Sequence, residues 1–258
     1  MRIATWNVNS VVARLPRLLE WLQDTAPDAV CLQETKCPAD AFPADEVGEL
    51  GYEVAAHGDG RWNGVALLSR VGLADVVQGL TAEPGYPDPE ARAVAATCGG
   101  VRLWSVYVPN GREPGHDHYA YKLAWLAALA DTVSTELETY DRLAVLGDFN
   151  VAPTDDDVWD PAVFAQSTHV TPPERAALEA LRASGLVDVV PRPLKYDRPY
   201  TYWDYRAGMF HKNMGMRIDL VYATPSIADA VKDAYVDREA RKGKSPSDHA
   251  PVVVDIAD

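Results

Sequence analysis

Short apolar runs recur along the chain, and most are of strand length. Residues 3–8 alternate apolar and polar, which predicts a strand with one face toward a core. Leu15, Leu18, Leu19 and Leu22 follow at helical spacing, with Pro16 near the start and Pro27 closing the segment. Ala29-Val30-Cys31-Leu32 reads as a buried strand that runs into Gln33-Glu34-Thr35-Lys36. A strand pair at about 52–57 and 64–69 flanks the turn Gly58-Asp59-Gly60, and 91–98 with 101–108 reads as a hairpin around Gly99-Gly100. The Pro- and Gly-rich stretch 82–89 reads as a loop. A long helix is predicted over about 118–137, with Leu123, Leu126, Leu129 and Val133 on its inner face.

Leu143-Ala144-Val145-Leu146 carries no charge and reads as a strand buried on both faces. Gly147 then lets the backbone turn, and Asp148 and Asn150, two apart, point into one cleft. Asp155-Asp156-Asp157 reads as a solvated acidic turn. Pro172-Pro173-Glu174 opens a helix that stops at Gly185, and 217–222, 231–237 and 252–256 read as further strands. Strands outnumber helices, and hairpins mix with crossovers. That favours a pair of mixed sheets covered by helices over one doubly wound sheet. No linker divides the chain, so residues 1–258 are expected to form a single catalytic domain.

Length and composition fit an ordinary packed core: 258 residues, 47% hydrophobic and 24% charged. Three cysteines without CxxC or Cys/His spacing imply a reduced, cytoplasmic protein with no disulfide framework and no zinc site. The first residues start a strand at once, and no apolar stretch is long enough for a bilayer, so no membrane partner is expected. Taken alone, the net charge of −14 argues against a nucleic-acid partner. A metal site changes that, because it needs clustered carboxylates and the ion inverts their local sign.

Polar residues recur just after the apolar strands: Asn7 and Asn9, Glu34, Tyr107 and Asn110, Asp148 and Asn150, Asp219, Asp248 and His249. Each alone has a plain explanation, such as a helix cap, a strand end or a loop histidine. Their joint occurrence does not, since strand ends of one layered sheet converge on one crevice.

The motifs Asn7-Val8-Asn9, Gln33-Glu34-Thr35-Lys36, Trp62-Asn63-Gly64-Val65-Ala66, Tyr107-Val108-Pro109-Asn110, Gly147-Asp148-Phe149-Asn150, Arg217-Ile218-Asp219 and Ser247-Asp248-His249-Ala250-Pro251 span essentially the whole chain, in order. As a set, the chain resembles the endonuclease/exonuclease/phosphatase superfamily, and within it exonuclease III and the abasic-site (AP) endonucleases. The resemblance implies a four-layered α/β sandwich, with two mixed β-sheets packed face to face and flanked by helices. It also implies Mg²⁺ or Mn²⁺ and hydrolysis of DNA phosphodiesters: 3′→5′ exonuclease and AP endonuclease activity in base excision repair. The expected partner is double-stranded DNA with abasic sites or 3′ ends, and a monomer is expected. A phosphatase or lipid-headgroup phosphodiesterase on the same scaffold is the alternative, and a catalytically dead binding protein a further one.

In that pattern Glu34 is the carboxylate ligand of the metal, with Asn7, Asn9 and Asp248 nearby. Asp148 activates the attacking water. Asn110, Asn150 and Tyr107 donate to phosphate oxygens. His249, held by Asp219, is read as a cation beside the developing charge in preference to a general base. Tyr202 and Met216 fall on the positions of an apolar pocket for a baseless sugar, with Trp203 beside them. Candidates for gripping the DNA backbone are Arg112, Lys122, Arg206, Lys212 and the cluster Arg241-Lys242-Gly243-Lys244.

Overall fold

The computed structural model describes residues 1–80 and 90–257, and the loop expected at 82–89 lies outside them. The chain first lays down β1 (Arg2–Asn7), β2 (Ala29–Gln33), β3 (Glu53–His57) and β4 (Val65–Ser69). It then builds a second sheet from β5 (Ala74–Gln78), β6 (Ala93–Cys98), β7 (Val101–Tyr107), β8 (Leu143–Asp148), β9 (Val187–Asp188) and β10 (Asp219–Ala223). It returns to the first sheet for β11 (Val231–Val236) and β12 (Val252–Ile256). The sheet orders are β11-β12-β1-β2-β4-β3 and β5-β6-β7-β8-β10-β9.

Among the paired strands described, β1/β2 and β7/β8 are parallel and the rest antiparallel. Each parallel pair is joined by a helix, Val11–Thr25 in the first sheet and Asp117–Glu136 in the second, because a parallel connection has to cross the sheet. The two helices cover opposite outer faces. Trp6, Val30 and Leu32 bury under Leu18, Trp21 and Leu22. Trp104, Val106 and Val145 bury under Trp125, Leu129 and Val133, joined by Leu178 and Leu181 of the helix Pro172–Ala183. Between the sheets, Ile3, Cys31 and Leu67 of one face Leu103, Leu146 and Val221 of the other. The result is the expected four-layered sandwich of two mixed sheets flanked by helices. Burial on both faces explains the uninterrupted apolar run of β8, each such side chain contributing about 1.5–3 kcal/mol.

Several local expectations need correcting. Gly147 does not turn the chain: it lies inside β8, opposite Val106. A Cβ there would stand 1.9 Å from the Val106 carbonyl oxygen, so only glycine lets β7 and β8 close at this point. The acidic turn 155–157 is not wholly solvated. Asp157 is buried and its Oδ1 accepts from Arg217 Nε at 2.6 Å. Leu123 is only half-buried, and the inner face of its helix instead carries Lys122 and Trp125. Strand β5 has no counterpart in the expected elements. It is an edge strand with mostly exposed side chains and so lacks an apolar signal. Among the described residues no helix is long and apolar enough to cross a membrane.

Candidate active site

The register of the sheets places the polar strand ends side by side. Asp148 of β8 lies opposite Tyr107 of parallel β7 and opposite Asp219, which opens antiparallel β10. Asn7 ends β1 opposite Gln33, one residue before Glu34. His249 lies three residues before β12, the antiparallel neighbour of β1. Both sheets therefore end at one crevice. Behind it, a buried polar pin joins them: Gln33 Nε2 donates to Ser105 Oγ at 3.1 Å, and Ser105 Oγ donates to the Leu32 carbonyl at 3.0 Å.

Asn7 bridges the crevice. Its Nδ2 donates to Glu34 Oε1 at 2.8 Å and to Asp148 Oδ2 at 2.9 Å, while its Oδ1 accepts from Asn9 N. Lys36 Nζ lies 2.7 Å from Glu34 Oε2 and donates to Asn9 Oδ1 at 2.6 Å. Asn9 Nδ2 reaches Asp248 Oδ1 at 3.0 Å. His249 Nδ1 lies 2.8 Å from Asp219 Oδ2, and its Nε2 lies 3.8 Å from Asp148 Oδ2. Asn150 N donates to Asp148 Oδ1 at 2.9 Å, and Asn110 Nδ2 to Asn150 Oδ1 at 3.2 Å. Asn9, Glu34, Lys36, Arg112 and Asn150 all adopt left-handed backbone, a costly conformation that clusters at functional sites.

The electrostatics follow from burying like charges together. Burial pushes Asp148 up to about 7; His249 opposes this, and Asp219 and Glu34 add to it. Burial resists the charging of His249, but Asp219 and then Asp148 outweigh it and lift the imidazole to about 10. Burial also resists the charge of Glu34, yet the Lys36 ammonium holds this carboxyl below its usual range. Tyr107 is held well above the usual phenol range by burial and by the Glu34 and Asp148 carboxylates, and its hydroxyl bonds Glu34.

Ligand atoms of Glu34, Asp148 and His249 lie within 4.8 Å of one another. A protonated imidazole has no lone pair for a metal, so the cation-competent part of this cluster is its carboxylates. A buried carboxylate, Asp148, and a half-buried one, Glu34, bridged by one neutral amide suit an oxygen-seeking divalent cation. Asn9 and Asp248 stand together at the outer side of Glu34, linked through Lys36.

Beside this cluster, Tyr202, Met216, Asn110 and Arg112 line one cavity of about 340 Å³, with Trp159 and Phe164 among its apolar walls. The Tyr202 ring stands 4.9 Å from that of His249. Trp203 is not part of that cavity. Its side chain is fully buried against Phe210, with the Arg238 guanidinium 4.5 Å over the ring, so it is core. Lys122 is not a surface cation. It is fully buried, 2.5 Å from Glu174 Oε1. Arg241 is also buried, donating to the Trp203 carbonyl at 3.2 Å. Lys242 pairs with Glu239 and Arg206 with Asp204, whereas Arg112, Lys212 and Lys244 are exposed.

Three further residues shape the site without having been singled out by the sequence. Lys36 neutralises Glu34, and its signal is the motif Gln33-Glu34-Thr35-Lys36. Thr201 Oγ1 accepts from the backbone N–H of both Ile218 and Asp219, at 3.1 Å each, and so sets Asp219. Arg92 lies 4.8 Å over the Tyr107 ring and donates to the Tyr107 carbonyl.

Two facing mixed sheets whose strand ends bring carboxylates, amides and an imidazolium to one crevice define a layered α/β hydrolase with a metal-competent centre. The chain belongs to the Endonuclease/Exonuclease/phosphatase family, whose model matches residues 4–249. It is similar to the 3′-5′ exonuclease NExo from Neisseria meningitidis, with 40% identity, a TM-score of 0.95 and both chains covered in full. A NExo structure described as a 3′ phosphatase bound to product DNA hairpin gives the same values. An AP endonuclease from Archaeoglobus fulgidus is 34% identical with a TM-score of 0.93, again over all of both chains. The exodeoxyribonuclease of Bacillus subtilis (strain 168) is 29% identical over 261 residues, 98% of each chain. The family is one of metal-dependent nucleases, and these relatives act on DNA.

Proposed function

We propose that this protein is a Mg²⁺-dependent DNA-repair phosphodiesterase. It trims 3′ ends as a 3′→5′ exonuclease, removes 3′ blocking groups and cuts 5′ to abasic sites, as a monomer in the cytoplasm with residues 1–258 as one catalytic domain. Mn²⁺ is the second metal that suits the donor set. The observation that carries the reading is the crevice itself: Glu34, Asp148 and a His249–Asp219 pair within a few ångströms, joined by Asn7.

The roles follow from chemistry. Glu34 holds the metal, with Asn7, Asn9 and Asp248 around it, and the bound cation supplies positive charge to an anionic phosphodiester. Asp148, raised by burial, takes the proton of the attacking water. Asn150 N fixes the Asp148 carboxylate so that one oxygen remains directed at the crevice. His249, charged through most of the pH range by Asp219, faces the developing negative charge on the phosphate. Asn110, Asn150 and the Tyr107 hydroxyl supply hydrogen bonds there. Tyr202 and Met216 present an apolar wall to the sugar of the nucleotide, with Arg112 at the mouth of the same cavity.

A labelled duplex carrying one abasic site, a nicked normal duplex and a duplex ending in a 3′-phosphate test the reading, each with Mg²⁺ and with EDTA. Metal-dependent incision, trimming and phosphate release are expected. Hydrolysis of soluble phosphomonoesters or inositol-lipid headgroups, with all three DNA substrates untouched, would overturn it.

A further inference from the structure

Lys122 is a long cation on the helix Asp117–Glu136, yet it and its counter-ion Glu174 are both fully buried. Its Nζ donates to the Asn150 carbonyl at 2.7 Å, the Asn110 carbonyl at 3.2 Å and Thr168 Oγ1 at 3.2 Å, besides the pair with Glu174. Glu174 is itself tied down. One oxygen accepts from Thr168 Oγ1 and His169 N, the other from Thr171 N and Oγ1. The Lys122 stem also shapes the first loop: a Cβ on Gly111 would stand 2.9 Å from Lys122 Cδ.

A buried ion pair is a weak way to stabilise a fold, because desolvation consumes most of its attraction. An apolar pair of similar volume can close such packing as well. It cannot draw carbonyl oxygens from two separate loops onto one point. Asn110 and Asn150 lie beyond the ends of β7 and β8, and Asn150 holds a left-handed backbone with its Nδ2 donating to the Val108 carbonyl at 3.0 Å. Thr168 Oγ1 also donates to the Asn110 carbonyl and His169 Nδ1 meets the Asn150 carbonyl, but among the described residues Lys122 is the one cation that bonds both. Their side-chain amides meet each other at 3.2 Å on the phosphate side of the crevice.

We propose that Lys122 is a positioning residue: with Glu174 as counter-ion it pins the Asn110 and Asn150 carbonyls, so that both side-chain amides meet the phosphate in fixed register. The proposal rests on the phosphodiesterase reading above. The double substitution Lys122→Met with Glu174→Leu tests it, because it removes both charges and leaves neither one buried alone. The variant should stay folded but melt below wild type, because Glu174→Leu takes the acceptor from the His169 and Thr171 N–H groups and from two hydroxyls, and it should bind substrate DNA with nearly unchanged affinity. Its single-turnover rate at saturating substrate and Mg²⁺ should fall roughly 10- to 100-fold through lost orientation. Adding Asn150→Ala should cost much less in that background than in wild type, since both changes remove one function.

A folded double variant with wild-type turnover would overturn the proposal, as would losses that simply add. Should the double variant fail to fold, Lys122→Arg enters the same cycle with Asn150→Ala, and additive losses again overturn it. A wild-type protein that cuts no DNA counts against the phosphodiesterase reading instead. The cycle is then run on whichever phosphate ester it hydrolyses.

Discussion

At the scale of single residues, the crevice sorts its acids and bases by neighbours. Thr201 fixes the backbone at Asp219, while Asp157 and Asp188 take the nearby Arg217. Asp219 is thereby left free for His249. Its Oδ1 is buried without a hydrogen-bond partner among the described residues, so its charge acts on the imidazole undiluted. In the proposed role His249 acts as a cation, so activity should fall as pH rises through its pKa of about 10. Asp219→Asn removes the strongest group raising that pKa and should move the alkaline limb of the rate profile downward, toward the ordinary imidazole value of about 6.5. A limb that stays in place assigns it to another group. Glu34 carries a different load. Glu34→Ala should leave melting nearly unchanged, but raise the Mg²⁺ needed for half-maximal rate and lower turnover at least ~100-fold. Full activity at low Mg²⁺ would refute its role as ligand.

At the scale of elements, the site depends on strand register more than on any helix. Tyr107, Asp148 and Asp219 sit abreast because β7, β8 and β10 pair without a bulge at that end. Gly147 is the point at which this can fail. Gly147→Ala would push a methyl into the Val106 carbonyl, separate β7 from β8 and shift Asp148, at a cost of roughly 3 kcal/mol or more in urea unfolding. Wild-type unfolding with wild-type turnover would show that the strands have slack here. The strands themselves were legible because two-sided burial leaves apolar runs, and the site was legible because its residues follow those runs. Burial of single polar or aromatic side chains was harder to read. Lys122 precedes Trp125 by three and Leu126 by four, so helical spacing already put it on the inner face, but its partner Glu174 lies 52 residues away. Trp203 and Tyr202 point in opposite directions, and only the chain from 210 to 216 decides which one faces the core. The Asp157–Arg217 pair spans 60 residues and leaves no local pattern at all.

At the scale of the whole molecule, a net charge of −14 has to be reconciled with a DNA substrate. At physiological salt the Debye length is about 8 Å, so distant carboxylates are screened and the groups within a few ångströms of phosphate decide binding. The structure narrows those groups. Lys122 and Arg241 are buried, and Lys242 and Arg206 are paired, which leaves Arg112, Lys212 and Lys244 exposed. Arg112 lines the cavity of Tyr202 and Met216, and Lys244 precedes Pro246, whose carbonyl accepts from Tyr205 and Arg14 beside Asn9. Replacing Arg112, Lys212 and Lys244 together by Ala should weaken duplex binding. The slope of log affinity against log salt should become shallower by up to about 0.9 for each phosphate that is no longer neutralised. A second triple variant separates local grip from overall charge. Arg70 follows β4, Arg142 precedes β8 and Lys232 is the second residue of β11; all three are exposed at the opposite ends of the sheets, and removing them changes net charge by the same amount. That variant should keep the wild-type slope. Equal slopes in the two triple variants would mean that duplex DNA senses only the overall field of the protein, and that Arg112, Lys212 and Lys244 grip nothing.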